Sequence, residues 1–210
     1  MTDSILQVDK IIDKAGTTNK ELAQYSSSNW SWGQGVPKGS VIEQFASPCD
    51  GSAITVQSGT YNIQNIVAEQ PLTTSYANLG GSVITYTPPT GTQTVIYDFD
   101  FAIRWNDADL MYMHKLSIGG TEVTNARQMY SFQGGSYLEK RNHFKWAFHI
   151  GGSQSDGTGR QATWTSGKEI KLEIREHTTS QEGTVHQTYH WDGSATNQFS
   201  QPVIGITALA

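Results

Sequence analysis

An all-β chain is what this sequence predicts, and three observations predict it. Residues 94 to 105 place Val95, Tyr97, Phe99, Phe101, Ile103 and Trp105 at every second position, with Asp98, Asp100 and Arg104 between them. Side chains of an extended segment alternate between its two faces, so this one lays an unbroken apolar row on a core and turns its charges to water; helical winding would scatter the row. The same alternation recurs at Phe144, Trp146, Phe148 and Ile150, and at Ile170, Leu172 and Ile174 with Lys171, Glu173 and Arg175 interleaved. Third, only 36% of the residues are hydrophobic while 10% are aromatic and 21 are glycine, a composition that suits short strands joined by tight turns.

From the N-terminus, residues 1 to 38 read as an arm and linker. Ile5, Leu6, Val8, Ile11 and Ile12 recur at spacings of three and four behind Thr2, Asp3 or Ser4 as caps, with Gly16 as a stop, which suits one short helix. Leu6 and Val8 also fit a period of two, so an extended segment pairing with another sheet stands beside that reading. An isolated helix of this length is marginal in water, and its apolar side would need a partner. A Ser- and Gly-rich stretch follows, Tyr25 to Gly39, carrying Trp30 and Trp32.

Residues 39 to 210 then alternate strand-like segments with turn clusters. The segments are 40 to 46, 53 to 57, 60 to 68, 82 to 87, 94 to 105, 111 to 118, 143 to 150, 168 to 177, 184 to 190 and 199 to 209. Turn chemistry separates them at Pro48 to Gly51, Gly80-Gly81, Pro88 to Gly91, Gly119-Gly120, Gly134-Gly135, Gly151 to Gly159 and Asp192-Gly193. Such a chain closes its core by stacking two antiparallel sheets, and the strand count points to a jelly roll. Ile96, Ala102, Met111 and Met113 fall out of phase with the core rows, so part of the outer surface is expected to be covered by a loop, the arm or another subunit.

Charge and composition narrow the function. With 14 basic and 19 acidic side chains the net charge is -5, which disfavours nucleic acid and anionic membranes as partners. No apolar run approaches the ~18 residues of a membrane span, and the N-terminus lacks the basic and apolar regions of a secretory signal, so membrane insertion is not expected and synthesis in a cytoplasm is. Cys49, the single cysteine, rules out an intramolecular disulfide.

No catalytic, cofactor or metal site can be read from the residues. His186 and His190, four apart, would stand ~13 Å apart on a strand, too far for one ion. Asp98 and Asp100 share a face ~7 Å apart, a separation found in inverting glycosidases, but on a charged strand face they read as solvated structural charge. Gly157 to Arg160 is glycine-rich yet opens no helix, and reads as a mobile loop. Tyr130, Trp164 and Trp191 at turns could stack on sugar rings beside Asp192 and Asn197, giving a candidate ligand or receptor surface. Ile5, Leu6, Val8, Ile12, Ile96, Met111 and Met113 are the candidate oligomer or assembly contacts.

Two stretches, Ile5-Leu-Gln-Val-Asp-Lys-Ile-Ile-Asp-Lys-Ala-Gly-Thr17 and Val36-Pro-Lys-Gly-Ser-Val-Ile-Glu-Gln44, resemble virion proteins of marine tailed bacteriophages in which a short N-terminal segment leads into a β-sandwich head. The similarity continues through Ser82-Val-Ile-Thr-Tyr-Thr-Pro-Pro-Thr-Gly91 and Thr94-Val-Ile-Tyr-Asp-Phe99. The resemblance implies a non-enzymatic structural protein of the virion surface, a tail or head fibre or decoration component. It implies a trimer with a jelly-roll, C1q- or TNF-like head, found on the virion after synthesis in a host cytoplasm. Joined to the reading of the residues, the expectation is a homotrimer whose arm meets other virion proteins and which either contributes to the capsid or tail surface or contacts host-surface glycans. A carbohydrate-binding module of a glycan-active protein is the alternative.

Overall fold

The computed structural model describes residues 10–13, 20–26, 29–32, 37–105, 109–133, 138–191 and 195–210, with backbone alone for residues 10–32, 190–191 and 195 of that set. All regular structure among them is β. The strands are β1 (Lys10–Asp13), β2 (Lys20–Ser26), β3 (Asn29–Trp32), β4 (Val41–Pro48), β5 (Ala53–Val56), β6 (Gly59–Asn62), β7 (Gln70–Pro71), β8 (Ala77–Asn78) and β9 (Ile84–Tyr86). There follow β10 (Thr94–Trp105), β11 (Leu110–Ile118), β12 (Thr121–Phe132), β13 (Leu138–His149), β14 (Lys168–Glu176), β15 (Thr184–Val185), β16 (Gln187–Trp191), β17 (Ala195–Phe199) and β18 (Val203–Leu209).

Eight of these make two sheets. One has the order β4-β18-β10-β13, with β15 and β7 extending it beside the C-terminal end of β10; the other runs β12-β11-β14, with β8 and β9 sharing the far edge of β14. Numbered along the chain as β4, β9, β10, β11, β12, β13, β14 and β18, the first sheet holds strands one, eight, three and six, and the second two, seven, four and five. Every pairing is antiparallel, and this interleaving is the jelly-roll order. The alternating row does what its period demands: Val95, Tyr97, Phe99, Phe101 and Ile103 are all 0% exposed and meet Tyr112, Leu116, Ile170 and Leu172 from the opposite sheet in one core.

Several local expectations change. Residues 10 to 13, which include Ile11 and Ile12, form a strand paired with β2, so the helical reading of the arm fails there; Ile5, Leu6 and Val8 lie outside the described residues. β12, absent from the expected strands, follows a two-residue turn at Gly119 and Gly120, whose φ values of +56° and +82° fit the mirror-image turns that match strand twist. The segment 184 to 190 breaks at His186, where φ is +61°, a left-handed conformation no strand continues through. The glycine-rich loop is tied down: Trp146 donates to the Thr158 carbonyl at 3.1 Å, and a Cβ at Gly159 would come within 2.9 Å of the Phe148 ring.

Candidate functional site

The outer face of the first sheet carries a depression. Period two sends Asp98 and Asp100 from β10, Arg141, His143 and Lys145 from β13, Val203, Gly205 and Thr207 from β18, and Gln44 and Ala46 from β4 to this side. Gly205 and Ala46, with almost no side chain, leave a trough of about 400 Å³.

One wall is charged. Register sets Asp98 opposite Lys145 and Asp100 opposite His143. His143 Nε2 lies 3.0 Å from Asp98 and its Nδ1 3.7 Å from Asp100; Lys145 reaches Asp98 at 3.4 Å, and Arg141 contacts Asp100. Each carboxylate is thus matched to bases on the neighbouring strand. Away from this wall the depression is lined by Gln44, Thr207 and half-buried Val203; along the same face, half-buried Ile96 stands beside Thr207, and half-buried Leu209 pairs with Val41, 51% exposed, at the other end of β18 from Val203.

The C-terminal half of this face is already covered. The β16–β17 hairpin lies over it: His186 N donates to the Ala102 carbonyl at 2.7 Å, and Arg104 donates to Gln187 at 3.0 Å while its guanidinium stands 5.2 Å over the Tyr189 ring. Gln187 in turn donates to Glu69 at 2.7 Å, and Glu139 accepts from the Tyr189 amide. That hairpin is why Ala102, out of phase with the core, is 1% exposed.

Met111 and Met113 lie on the opposite side of the molecule, on the outer face of the second sheet, so they and Ile96 do not form one surface. Met113 is half-buried under Arg175, which donates to its sulfur at 3.3 Å, and Met129 beside it is 63% exposed. The alternating charges of this face pair off as Lys115–Glu173 and Arg127–Glu122. Tyr76 lies under both Lys115 and Arg175, at 4.6 and 5.3 Å.

The aromatic candidates are dispersed. Trp164 is a correction: it is 4% exposed, packs edge-on against Phe148 and Tyr86, and donates its indole N–H to the Tyr86 carbonyl at 3.0 Å. A ring so enclosed cannot receive a sugar. Asn197 is exposed on β17, Trp191 ends β16 with its side chain outside the described residues, and Asp192 lies outside them altogether. Tyr130 is half-buried where the edge strands β12 and β13 meet, stacked on Tyr112 at 5.1 Å and donating to Gln128 at 2.6 Å. Burial raises its phenol pKa and that of Tyr112.

Behind Tyr130 stands His114, 1% exposed among Phe101, Tyr112, Tyr130 and Phe144, with burial lowering its pKa to about 4. Sequence reasoning also missed a buried carboxylate. Glu43, 6% exposed, accepts from the Tyr86 hydroxyl at 2.7 Å, the Ser58 hydroxyl at 2.6 Å and the Ser58 amide at 2.8 Å. Its only advance signal was an acid two positions from Phe45, in phase with it on a strand.

No family model matches the chain, and no curated protein matches it. Among solved structures, one match is to a chain from the structure of infectious bursal disease virus, Gx strain, at 8% identity and a TM-score of 0.37. It covers 92% of this chain and 43% of that one, so this chain spans less than half of its length. At that superposition nothing about this chain's role follows from the match.

Proposed function

We propose that this chain is a non-enzymatic structural protein of a virion surface, a tail or head fibre or decoration component, that assembles as a homotrimer through the outer face of the β4-β18-β10-β13 sheet. The observation that carries the assembly is the uncovered half of that face. There half-buried Val203 borders a trough of about 400 Å³, and along the same face Ile96 and Leu209 are half-buried and Val41 is 51% exposed. Apolar side chains spread along a face that also carries ion pairs suit a subunit contact: the first exclude water and the second fix register. The virion setting is supported by the resemblance of residues 5 to 17, 36 to 44, 82 to 91 and 94 to 99 to phage virion proteins, joined to a jelly roll. In this reading the N-terminal arm meets other virion proteins.

Light scattering of the purified full chain tests the assembly. A trimer mass is expected, with Gly205→Arg, which fills the trough, and Val203→Glu shifting it to monomer while the far-ultraviolet spectrum stays β. A wild-type monomer at all concentrations refutes the homotrimer. Immunogold labelling of particles tests location: label absent from every virion surface refutes the virion role.

A further inference from the structure

Three buried side chains with polar atoms that find no hydrogen-bond partner gather on one side of the sandwich. They are Trp105 through Nε1, His114 through both ring nitrogens, and Asn142 through Nδ2, on residues 3%, 1% and 4% exposed. Native interiors leave few such groups, so a cluster of them needs a physical account. One set of rings connects them. Trp105 packs 5.1 Å from Phe132, Phe132 is 6.3 Å from Tyr130, and Tyr130 stacks 5.1 Å from Tyr112. The Tyr112 hydroxyl donates to Asn142 Oδ1 at 2.7 Å.

The cluster opens at the seam between the edge strands β12 and β13. There Tyr130 and Phe132 are half-buried, and Lys140 of β13 holds its ammonium 5.1 Å and 4.6 Å from their ring centres. Among the described residues Lys140 is in no ion pair.

His114, with a neutral ring, offers one donor and one acceptor, but the groups around it are one-sided. Asn142 has given its oxygen to Tyr112, so its free group is an N–H donor; an indole nitrogen only donates; an ammonium only donates. A ligand that satisfies this seam must bring acceptors, among them a negative one for Lys140, and an apolar flank for the rings. We propose that the β12–β13 seam binds an acidic sugar, its carboxylate on Lys140, its ring face on Tyr130 and Phe132, and its hydroxyls toward Asn142 and Trp105. This deepens the host-contact expectation and rests on it only for biological setting. Binding is read on the purified chain and virion location on particles, so the two fail separately.

The experiment is a titration of the ¹⁵N-labelled full chain with glucuronic acid and N-acetylneuraminic acid, with glucose as the neutral control. The Trp105 indole and Asn142 amide resonances are assigned by Trp105→Phe and Asn142→Asp. Either acidic sugar is expected to move both resonances, with affinity about tenfold or more above glucose. Lys140→Met is expected to erase that preference, Lys140→Arg to keep it, and Tyr130→Ala to weaken all sugars, with near-ultraviolet circular dichroism showing each variant folded. Overturning results are resonances that stay still with both acids, shifts that map elsewhere, or an acid preference unchanged in a folded Lys140→Met protein. A variant that does not fold leaves the wild-type titration to decide.

Discussion

Glu43 offers the sharpest test of how this sandwich is held together. The β5–β6 hairpin is held to β4 and β9 by the Tyr61 ring, packed on Phe45 and Tyr86, and by one carboxylate, which takes the Ser58 amide and hydroxyl on one side and the Tyr86 phenol, on a residue 0% exposed, on the other. A hydrogen bond to a charged acceptor is worth about 1.5–3 kcal/mol, but three on one group share their loss, so Glu43→Ala is expected to cost about 4 kcal/mol. Glu43→Gln keeps the volume yet turns an N–H₂ toward donors. The two hydroxyls can rotate to suit it and the Ser58 amide cannot, so about 2 kcal/mol is expected. Tyr86→Phe alone should cost about 2 kcal/mol, and the Glu43→Ala/Tyr86→Phe double variant should fall short of the sum by about 1–2 kcal/mol. Urea unfolding followed by circular dichroism at fixed protein concentration gives these values. The melting temperature should fall by roughly 8–16 °C for Glu43→Ala in a chain of this size. A cost below about 1 kcal/mol for Glu43→Ala, or an additive cycle, would show that the carboxylate does not anchor the hairpin.

Acid should weaken the fold through its buried histidines. Burial holds the folded pKa of His114 and of His186 at about 4 against 6.5 in the unfolded chain. As pH falls below 6.5 the unfolded chain takes up protons that the folded one refuses, so stability drops until about pH 4, by up to about 3 kcal/mol per histidine. His114→Phe, which removes two unpartnered nitrogens, should be at least as stable as wild type at pH 7 and lose roughly half of that acid sensitivity in urea titrations across pH. An identical pH dependence would refute the assignment. Gly159→Ala should lower stability by about 2 kcal/mol, since φ is +71° and the added carbon would meet Phe148 at 2.9 Å and Val123 at 3.0 Å; a melt unchanged or raised contradicts this. Trp164→Ala should cost about 3–5 kcal/mol as a core truncation, and a stable variant that merely loses glycan binding would restore Trp164 to the surface.

Legibility in the sequence followed the regularity of the backbone. β10 was readable to the residue because its twelve positions pair with β13 without a break, so the period never slips. β12 was not, because its pairing with β11 jumps from Val123 opposite Leu116 to Gln128 opposite His114. The residues between bulge toward the loop after β13, where the Thr124 and Asn125 amides donate to the carbonyls of Asp156 and Gly157. The bulge puts Val123 and Ala126, three apart, on one face and destroys the alternation by which a strand is recognised. The same cause hid the candidate site. Tyr130 was visible as an aromatic near a turn, but the partners that give it meaning, Tyr112, Asn142 and Lys140, come from strands whose adjacency depends on that register. Trp164 misled because proximity to Gly167 and Ser166 looks like a surface turn, whereas the segment crosses the end of the sandwich and turns the indole inward.

The proposed assembly rests on the outer face of β10. Along one strand the same kind of position is treated in two ways. Ala102 and Arg104 are sealed by the chain's own β16–β17 hairpin to 1% and 5% exposure, whereas Ile96, Asp98 and Asp100 are left partly open. A hairpin of two five-residue strands covers about half the length of a twelve-residue strand, so the remainder needs cover from elsewhere or a surface built for water. The charged wall alone would suit water. The apolar side chains of the face suit it less: Val203 borders the depression, Val41 and Leu209 sit at the far end of the same two strands, and glycine and alanine at the floor keep the depression open. In the proposed assembly a second subunit would cover these small residues and the apolar side chains along the same face, continuing the cover that the hairpin begins.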